Sequence, residues 1–480
     1  MAENVQQMLR DRLEDDGTAI ATPDRTWTWR EHLAEASAEA AAVIAALDAE
    51  RAPHVGTLLG NSPAMLRAMA GAGLGGYVLC GINTTRRGEG LAADVRRAEC
   101  QLLLTDAEHL PLLEDVDLGD VRVVDVGSDA WTQEVAAAGE LTPLREVEAM
   151  DTFMMIFTSG TSGDPKAVQV AHLMVLFSGL NLVDRFSMTP DDVCYLSMPL
   201  FHSNAVVAGW AVAVGCGATM VPTKFSASRF LDDVRRHGVT YMNYVGKPLA
   251  YVLATPEHED DADNTLRVAF GNEASDRDIA EFARRFDCDV MDGFGSTELA
   301  IIILREPGTP PGSNGKGMDG VAIYDAETVT ECPVARFDEH GALLNADEAV
   351  GELVNTTGGG YFQGYYNDPD ANADRMRHGM YWSGDLAYKD ADGWIYLAGR
   401  TADWMRVDGE NLAAGPIERI LQRLPALNRV AVYAVRDDRV GDQVMAAAIT
   451  QIHPLTPKGC SSDTSSRPIL PQPWMPIVRP

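Results

Sequence analysis

The segment Thr158-Ser159-Gly160-Thr161-Ser162-Gly163-Asp164-Pro165-Lys166 gathers hydroxyls, glycine amides and one lysine in a single short stretch. That mixture suits an anion. Glycine tolerates the backbone angles of a concave nest of N–H groups, the hydroxyls add donors, and the lysine adds positive charge, so the loop is able to wrap phosphate oxygens. It is not a Walker loop, which needs two glycines five apart followed by Lys-Ser/Thr; here Pro165 precedes the lysine and Ala167 follows it. Met154-Met155-Ile156-Phe157 reads as a buried strand entering the loop, and Ala167-Val168-Gln169-Val170 alternates like another strand leaving it. The loop is therefore expected to join two strands and not to open a helix. By composition alone, such a turn is as often an ordinary solvated loop.

A second group lies downstream. Asp292-Gly293-Phe294-Gly295-Ser296-Thr297-Glu298 follows the strand-like Cys288 to Met291 and offers a hydroxyl beside a carboxylate, the oxygen ligand that a hard divalent cation prefers. A bare Ser-Thr-Glu also caps helices, so the order of the two segments matters more than either one.

Taken in that order, the text resembles the adenylate-forming superfamily, which includes acyl-CoA synthetases, luciferases and peptide-synthetase adenylation domains. "MIFTSGTSGDPKAV" is similar to the family's phosphate loop, and "GFGSTE" to its aromatic-Gly-x-Thr-Glu motif. The resemblance implies phosphate contacts from Thr158 to Gly163, Lys166 and Thr297, Mg²⁺ at Glu298, and a nucleotide wall formed by Asp292, Gly293, Phe294, Gly295 and Ser296. It places Gly271-Asn272-Glu273 beside the adenine ring. Tyr381-Trp382-Ser383-Gly384-Asp385 is similar to the segment whose aspartate binds the ribose hydroxyls, with Arg400 accompanying it; a carboxylate can accept both hydroxyl protons at once. Ser197-Met198-Pro199-Leu200-Phe201-His202-Ser203-Asn204 is similar to the acyl-pocket stretch, so His202 and Asn204 are candidate substrate neighbours, with no acid–base role assigned. Thr401-Ala402 is similar to the family hinge, and Gly409 to the glycine that lets the pantetheine thiol of CoA pass close to the backbone.

The implied reaction is ATP-dependent activation of a carboxylic acid to acyl-AMP, followed by attack of a CoA thiolate. Within the superfamily, "GINTTRRGEGLAADV", "AFGNEASDRDIAEFARRF" and "DWMRVDGEN" are most similar to fatty-acid-transport-protein-type and actinobacterial ligases that act on long acyl chains or steroid side-chain carboxylates. The resemblance spans residues 27–449 and is strongest over 151–418. One expected residue is missing. Relatives carry a lysine near the end of the small domain, but Lys458, in a dissimilar Pro457-Lys458-Gly459 setting, is the only lysine after Lys389. Two alternatives stay open: an acyl-AMP ligase serving a carrier protein, and a nucleotide-binding pseudoenzyme.

The elements that must hold these residues read as an α/β fold. Thr28-Trp29-Arg30-Glu31 has a capping-box pattern, and Trp29, Leu33, Ala36, Ala40, Val43 and Leu47 recur at helical spacing. Strands are expected over 55–59, 77–80, 101–105 and 121–126, with helices over 63–75 and 88–98 between them. Later strands over 351–354, 394–397, 430–435 and 444–449 have fewer helices between them, so the last third should be more β-rich, and the small domain is expected to be mixed α+β. The expected division is a large multi-sheet adenylation domain over 1–400, a small and incomplete domain over 401–450, and an atypical Pro/Ser-rich tail over 451–480.

Composition bounds the rest. At 480 residues and 46% hydrophobic content the chain can bury a large core in more than one domain. A net charge of −31 opposes binding to nucleic acid or to an anionic membrane surface. The seven cysteines lack CxxC spacing and are expected to be buried small hydrophobes in a reducing cytoplasm, with peripheral membrane contact left open. The uncharged stretch 205–221 is interrupted by Gly215-Cys216-Gly217 and is expected to be a buried helix leading into a strand, not a membrane span. Partners are expected to be small molecules, the carboxylic acid, ATP and CoA, with a homodimer as the oligomer to test for.

Overall fold

The computed structural model describes residues 2–158, 165–339, 341–400, 405–407, 410–412, 414–422, 424, 427–437, 441–450 and 475–477. The chain divides into two compact units, one of residues 1–302 and 359–376, the other of 303–358 and 377–480. This division by packing runs differently from a boundary near Arg400, because 303–358 and 377–400 belong to the same compact unit as the chain beyond Arg400.

The first unit holds two sheets. Strands β1 (Thr18–Ala21) and β2 (Thr26–Thr28) form a hairpin. They are followed by β3 (His54–Leu58), β4 (Val78–Gly81), β5 (Leu102–Thr105), β6 (Arg122–Asp125), β7 (Thr152–Thr158) and β8 (Lys166–Ala171). These six make one sheet in the order β6-β5-β3-β4-β7-β8, parallel except for the antiparallel pair β7/β8. Next come β9 (Val193–Leu196), β10 (Thr219–Pro222), β11 (Tyr241–Val245), β12 (Val268–Asn272) and β13 (Asp289–Gly295). They form a second sheet in the order β13-β12-β11-β9-β10-β1-β2, parallel up to the terminal hairpin.

Local chemistry explains the helices between them. Thr28 and Glu31 form the capping box, each side chain bonding the other's backbone N–H, and start the helix Trp29–Ala46. Trp29, Leu33, Ala36, Ala40 and Val43 are all fully buried along one stripe, as their spacing requires. Ser62 caps Pro63–Gly75, and Gly76 ends it in the left-handed conformation (φ 73°). Stretch 205–221 folds as a short helix Ser203–Ala205, a π-helical turn Val206–Trp210, a helix Ala211–Cys216 and then β10. The main core lies between the sheets, where the Phe153 and Trp210 rings stack at 5.6 Å. Among the described residues no helix is long and apolar enough to cross a membrane.

In the second unit, β14 (Val321–Asp325), β15 (Thr330–Glu331), β16 (Gly351–Asn355), β17 (Met380–Lys389) and β18 (Ile395–Arg400) pair antiparallel in the order β15-β14-β16-β17-β18. A smaller antiparallel sheet of β19 (Met405–Val407), β20 (Glu410–Leu412), β21 (Leu427–Asp437) and β22 (Gly441–Thr450) packs on the helix Ala414–Gln422 through Val430, Val432 and Ala448. The antiparallel pairing bears out the β-rich last third.

Two sequence expectations need correction. The strand expected to stop near Met291 continues as β13 to Gly295, because Gly271, Asp292, Asn272 and Gly293 keep pairing across β12/β13. The cysteines are free but not uniformly buried: Cys80, Cys100, Cys194 and Cys216 are enclosed, whereas Cys288, just before β13, and Cys332, just after the edge strand β15, are half-buried. Cys460 and most of the 451–480 tail lie outside the described residues.

Candidate active site

The antiparallel hairpin β7/β8 ends on the register pair Thr158↔Lys166, which fixes both stems of the candidate phosphate loop. Ser159, Gly160, Thr161, Ser162 and Gly163 lie outside the described residues. Alongside β8 runs the segment Gly364–Tyr366: the Gln169 N–H donates to the Gly364 carbonyl at 3.1 Å, the Tyr366 N–H donates to the Ala167 carbonyl at 2.8 Å, and Val168 bridges Tyr365. Tyr365 is thus set by main-chain pairing to the strand that carries Lys166. The Asn372 side chain completes the placement, accepting from the Tyr365 N–H at 2.6 Å and donating to its carbonyl at 3.0 Å.

This tyrosine is the hub that motif reading missed. The Lys166 ammonium stands over its ring at 5.0 Å. Its hydroxyl donates to Glu298 Oε1 at 2.7 Å and accepts from Arg375 Nε at 3.1 Å. Burial, with the Glu298 carboxylate beside it, pushes the Tyr365 pKa above its ordinary value, so the hydroxyl keeps its proton and remains a donor. Glu298 is itself buried. The two candidate phosphate-site elements, one ending in Lys166 and the other carrying Glu298, therefore meet on one side chain. A Gly-Tyr-Tyr after a glycine run was visible in the sequence, but nothing in it indicated which strand it would line.

Around the turn after β13, the Thr297 and Ser203 hydroxyls are 3.0 Å apart. Asn204, next along that helix, donates to Asn272 Oδ1 at 3.4 Å. Gly271 is required where it stands: a Cβ there would fall 2.2 Å from the Tyr244 carbonyl. Glu273 takes a left-handed conformation (φ 67°) at an exposed turn. Asp292 faces inward, its Oδ2 accepting from the Tyr244 hydroxyl and the Ala274 N–H, each at 3.0 Å, so it pins the 272–274 turn. His202 lies beside Phe201 with ring centroids 4.6 Å apart, and loss of hydration lowers its pKa.

In the second unit, Asp385 and Arg400 are register partners across β17/β18, with Arg400 Nε 3.6 Å from Asp385 Oδ1. The buried Glu352 positions the preceding residue by accepting from the Gly384 N–H at 2.8 Å, while its other oxygen pairs with Arg377 at 3.0 Å. Gly409 and the Thr401-Ala402 hinge lie outside the described residues.

Among the described residues there is no cluster of three or more His, Cys, Asp or Glu able to cage a metal. Glu298 nevertheless fits Mg²⁺, which usually takes one or two carboxylates and completes its shell with substrate phosphates and water. Among the described residues its carboxylate accepts one bond, at Oε1 from Tyr365, which leaves acceptor capacity for a cation. Two cavities lie elsewhere, one lined by Arg229, Asp233 and Arg236, the other by Arg51, Arg96 and Glu99, and neither is lined by a residue of this site.

Comparison with known proteins identifies the family. Residues 10–366 match the family of AMP-binding enzymes. The chain is 50% identical over 447 residues to the medium/long-chain-fatty-acid–CoA ligase FadD17 of Mycobacterium tuberculosis, covering 93% of this chain and 86% of that protein. It is 45% identical over 449 residues to the steroid-22-oyl-CoA synthetase of Rhodococcus jostii, covering 92% and 81% respectively. ATP-bound MatB from Rhodopseudomonas palustris superposes with a TM-score of 0.81 at 23% identity, covering 94% of this chain and 89% of that one, a likeness of fold. With three-quarters of its length matched in this way, the chain belongs to the AMP-binding enzyme family of the adenylate-forming superfamily.

Proposed function

We propose that this protein is an AMP-forming acid–CoA ligase that activates a long-chain fatty or steroid side-chain carboxylic acid. The observation that carries the reading is the meeting of Lys166 and Glu298 on Tyr365. The substrate class rests on the two relatives, one named for medium- and long-chain fatty acids, the other for a steroid acid.

In the first half-reaction a carboxylate oxygen attacks the α-phosphorus of ATP in line and pyrophosphate leaves. The chain's part is positioning and neutralisation of charge. Lys166 would supply positive charge to a bound triphosphate, Thr158 and Thr297 offer hydroxyls, and Asp385 offers a carboxylate for the ribose hydroxyls. Mg²⁺ bound at Glu298 would supply a Lewis acid for the phosphate oxygens. The Arg375–Tyr365–Glu298 chain keeps that carboxylate aimed. In the second half-reaction a CoA thiolate attacks the acyl carbonyl and AMP leaves.

The test is pyrophosphate release from ATP across a panel of fatty and steroid carboxylates, followed by AMP release on adding CoA. CoA-dependent AMP release with one of these acids supports the reading. AMP release that requires a carrier-protein thiol would favour the acyl-AMP ligase. ATP binding by calorimetry with no pyrophosphate from any acid would favour a pseudoenzyme.

A further inference from the structure

Three asparagines from three different elements form a directional chain behind the site. Asn243 Nδ2, on β11, donates to Asn204 Oδ1 at 2.7 Å. Asn204 Nδ2, in the first turn of the helix that opens at Ser203, donates to Asn272 Oδ1 at 3.4 Å. Asn272 Nδ2, at the end of β12, donates to the Gly295 carbonyl at 3.5 Å.

The direction is not arbitrary. A main-chain carbonyl can only accept, so Gly295 obliges Asn272 to present its NH₂ there and its oxygen to Asn204. The same constraint passes to Asn204 and then to Asn243, whose NH₂ must point at Asn204. The cost appears at the far end: Asn243 Oδ1 is fully enclosed and has no hydrogen-bond partner among the described residues. A buried, unpaired amide oxygen on a central parallel strand is destabilising, and a leucine of similar size would avoid the loss. Gly209, within the π-helical turn, closes over this oxygen; a Cβ at that position would lie 2.9 Å from it and 3.0 Å from the Leu196 side chain. The helix backbone thus packs closely against the amide.

The chain ends on residues of the nucleotide site. Gly295 leads into Ser296-Thr297-Glu298, and the Ser203–Thr297 contact at 3.0 Å ties the same helix start to the same turn a second time. The tight bond holds Asn204 to β11, and the two long ones lie at Asn272, the side that nucleotide would occupy. Site hydrogen bonds that are long without substrate commonly shorten in the complex.

We propose that Asn243 is a positioning residue for nucleotide binding: it fixes the orientation of Asn204, and through Asn204 that of Asn272, linking the acyl-side helix to the Gly295–Glu298 turn. This rests on the reading of the 271–273 and 295–298 segments as the nucleotide site.

The experiment is a double-mutant cycle on the full chain with Asn243→Leu, Asn204→Ala and the pair, reading ATP affinity by calorimetry, kcat and KM for ATP in the pyrophosphate assay, and Tm. Loss of one bond of this kind predicts a fall in ATP affinity of about fivefold to tenfold for each single variant. The pair should be no weaker than the worse single, with the loss in KM for ATP larger than in kcat. Losses that multiply in the pair would overturn the proposal, as would unchanged ATP affinity with only Tm altered. Should Asn243→Leu fail to fold, Asn243→Ser takes its place under the same criteria. A wild type that binds ATP but releases no pyrophosphate with any acid defeats the ligase reading, while the calorimetric cycle still decides the relay; a wild type that binds no ATP overturns both.

Discussion

At the scale of single residues, the site depends on groups held by neighbours that motif reading does not flag. Tyr365 shows this most directly. Its hydroxyl is wedged between Arg375 and Glu298, so Tyr365→Phe removes the donor to a buried carboxylate while leaving the ring under Lys166. We expect pyrophosphate release to fall by roughly tenfold to a hundredfold, toward the range seen when one preorganised donor is lost, and Tm to drop by the equivalent of about 1–3 kcal/mol from the carboxylate left without its donor. Steady-state kinetics and thermal melting check both halves; an unaltered rate would remove the tyrosine from the proposed machinery. Gly271 makes the opposite demand. Gly271→Ala puts a Cβ against the Tyr244 carbonyl, a rigid neighbour on the adjacent strand, and should cost about 1–3 kcal/mol in a denaturant titration.

At the scale of elements, the sheets supply the geometry and single buried side chains lock it. In the second unit, β16 lends Glu352 to the Gly384 N–H just before Asp385, and Arg377 neutralises it. Glu352→Ala leaves an amide without its acceptor and a guanidinium without its carboxylate. The expected result is a rise of about tenfold in KM for ATP, from a segment that no longer holds Asp385 in place. Glu352→Gln, which still offers an oxygen to the amide, should recover part of that loss.

At the scale of the molecule, stability should depend on pH through histidines buried in the first unit. His172, packed edge-on against Phe153 with both ring nitrogens unpartnered among the described residues, has its pKa lowered by burial to about 4, and His32 by the same cause to about 3. Both values lie below the ordinary value near 6.5, so the unfolded chain takes up these protons first. Stability is then complete above about pH 6.5 and falls as pH drops from there; the contribution of His172 stops changing below about pH 4. The limiting slope is about 1.4 kcal/mol per pH unit for each histidine. His172→Leu should shrink the difference in Tm between pH 7.5 and pH 5 relative to wild type. An equal or larger difference would mean that other groups dominate acid unfolding.

The sequence by itself determined whatever is written in short stretches: the capping box at Thr28, the helix over Pro63–Gly75, the β7 and β8 strands flanking a phosphate-type loop, and the order of loop, Thr-Glu turn and later aspartate that marks the family. These are legible because periodicity, caps and turn residues act between near neighbours in the chain. Tertiary structure decided that Tyr365 lies beside β8, that Asp292 turns inward to pin a turn, that β13 runs on to Gly295, and that Asn243, Asn204 and Asn272 join end to end. Each of those contacts joins residues far apart in the chain, brought together by sheet register and by burial. A side chain's partners there depend on which strands become neighbours, and no local pattern of residue types specifies that.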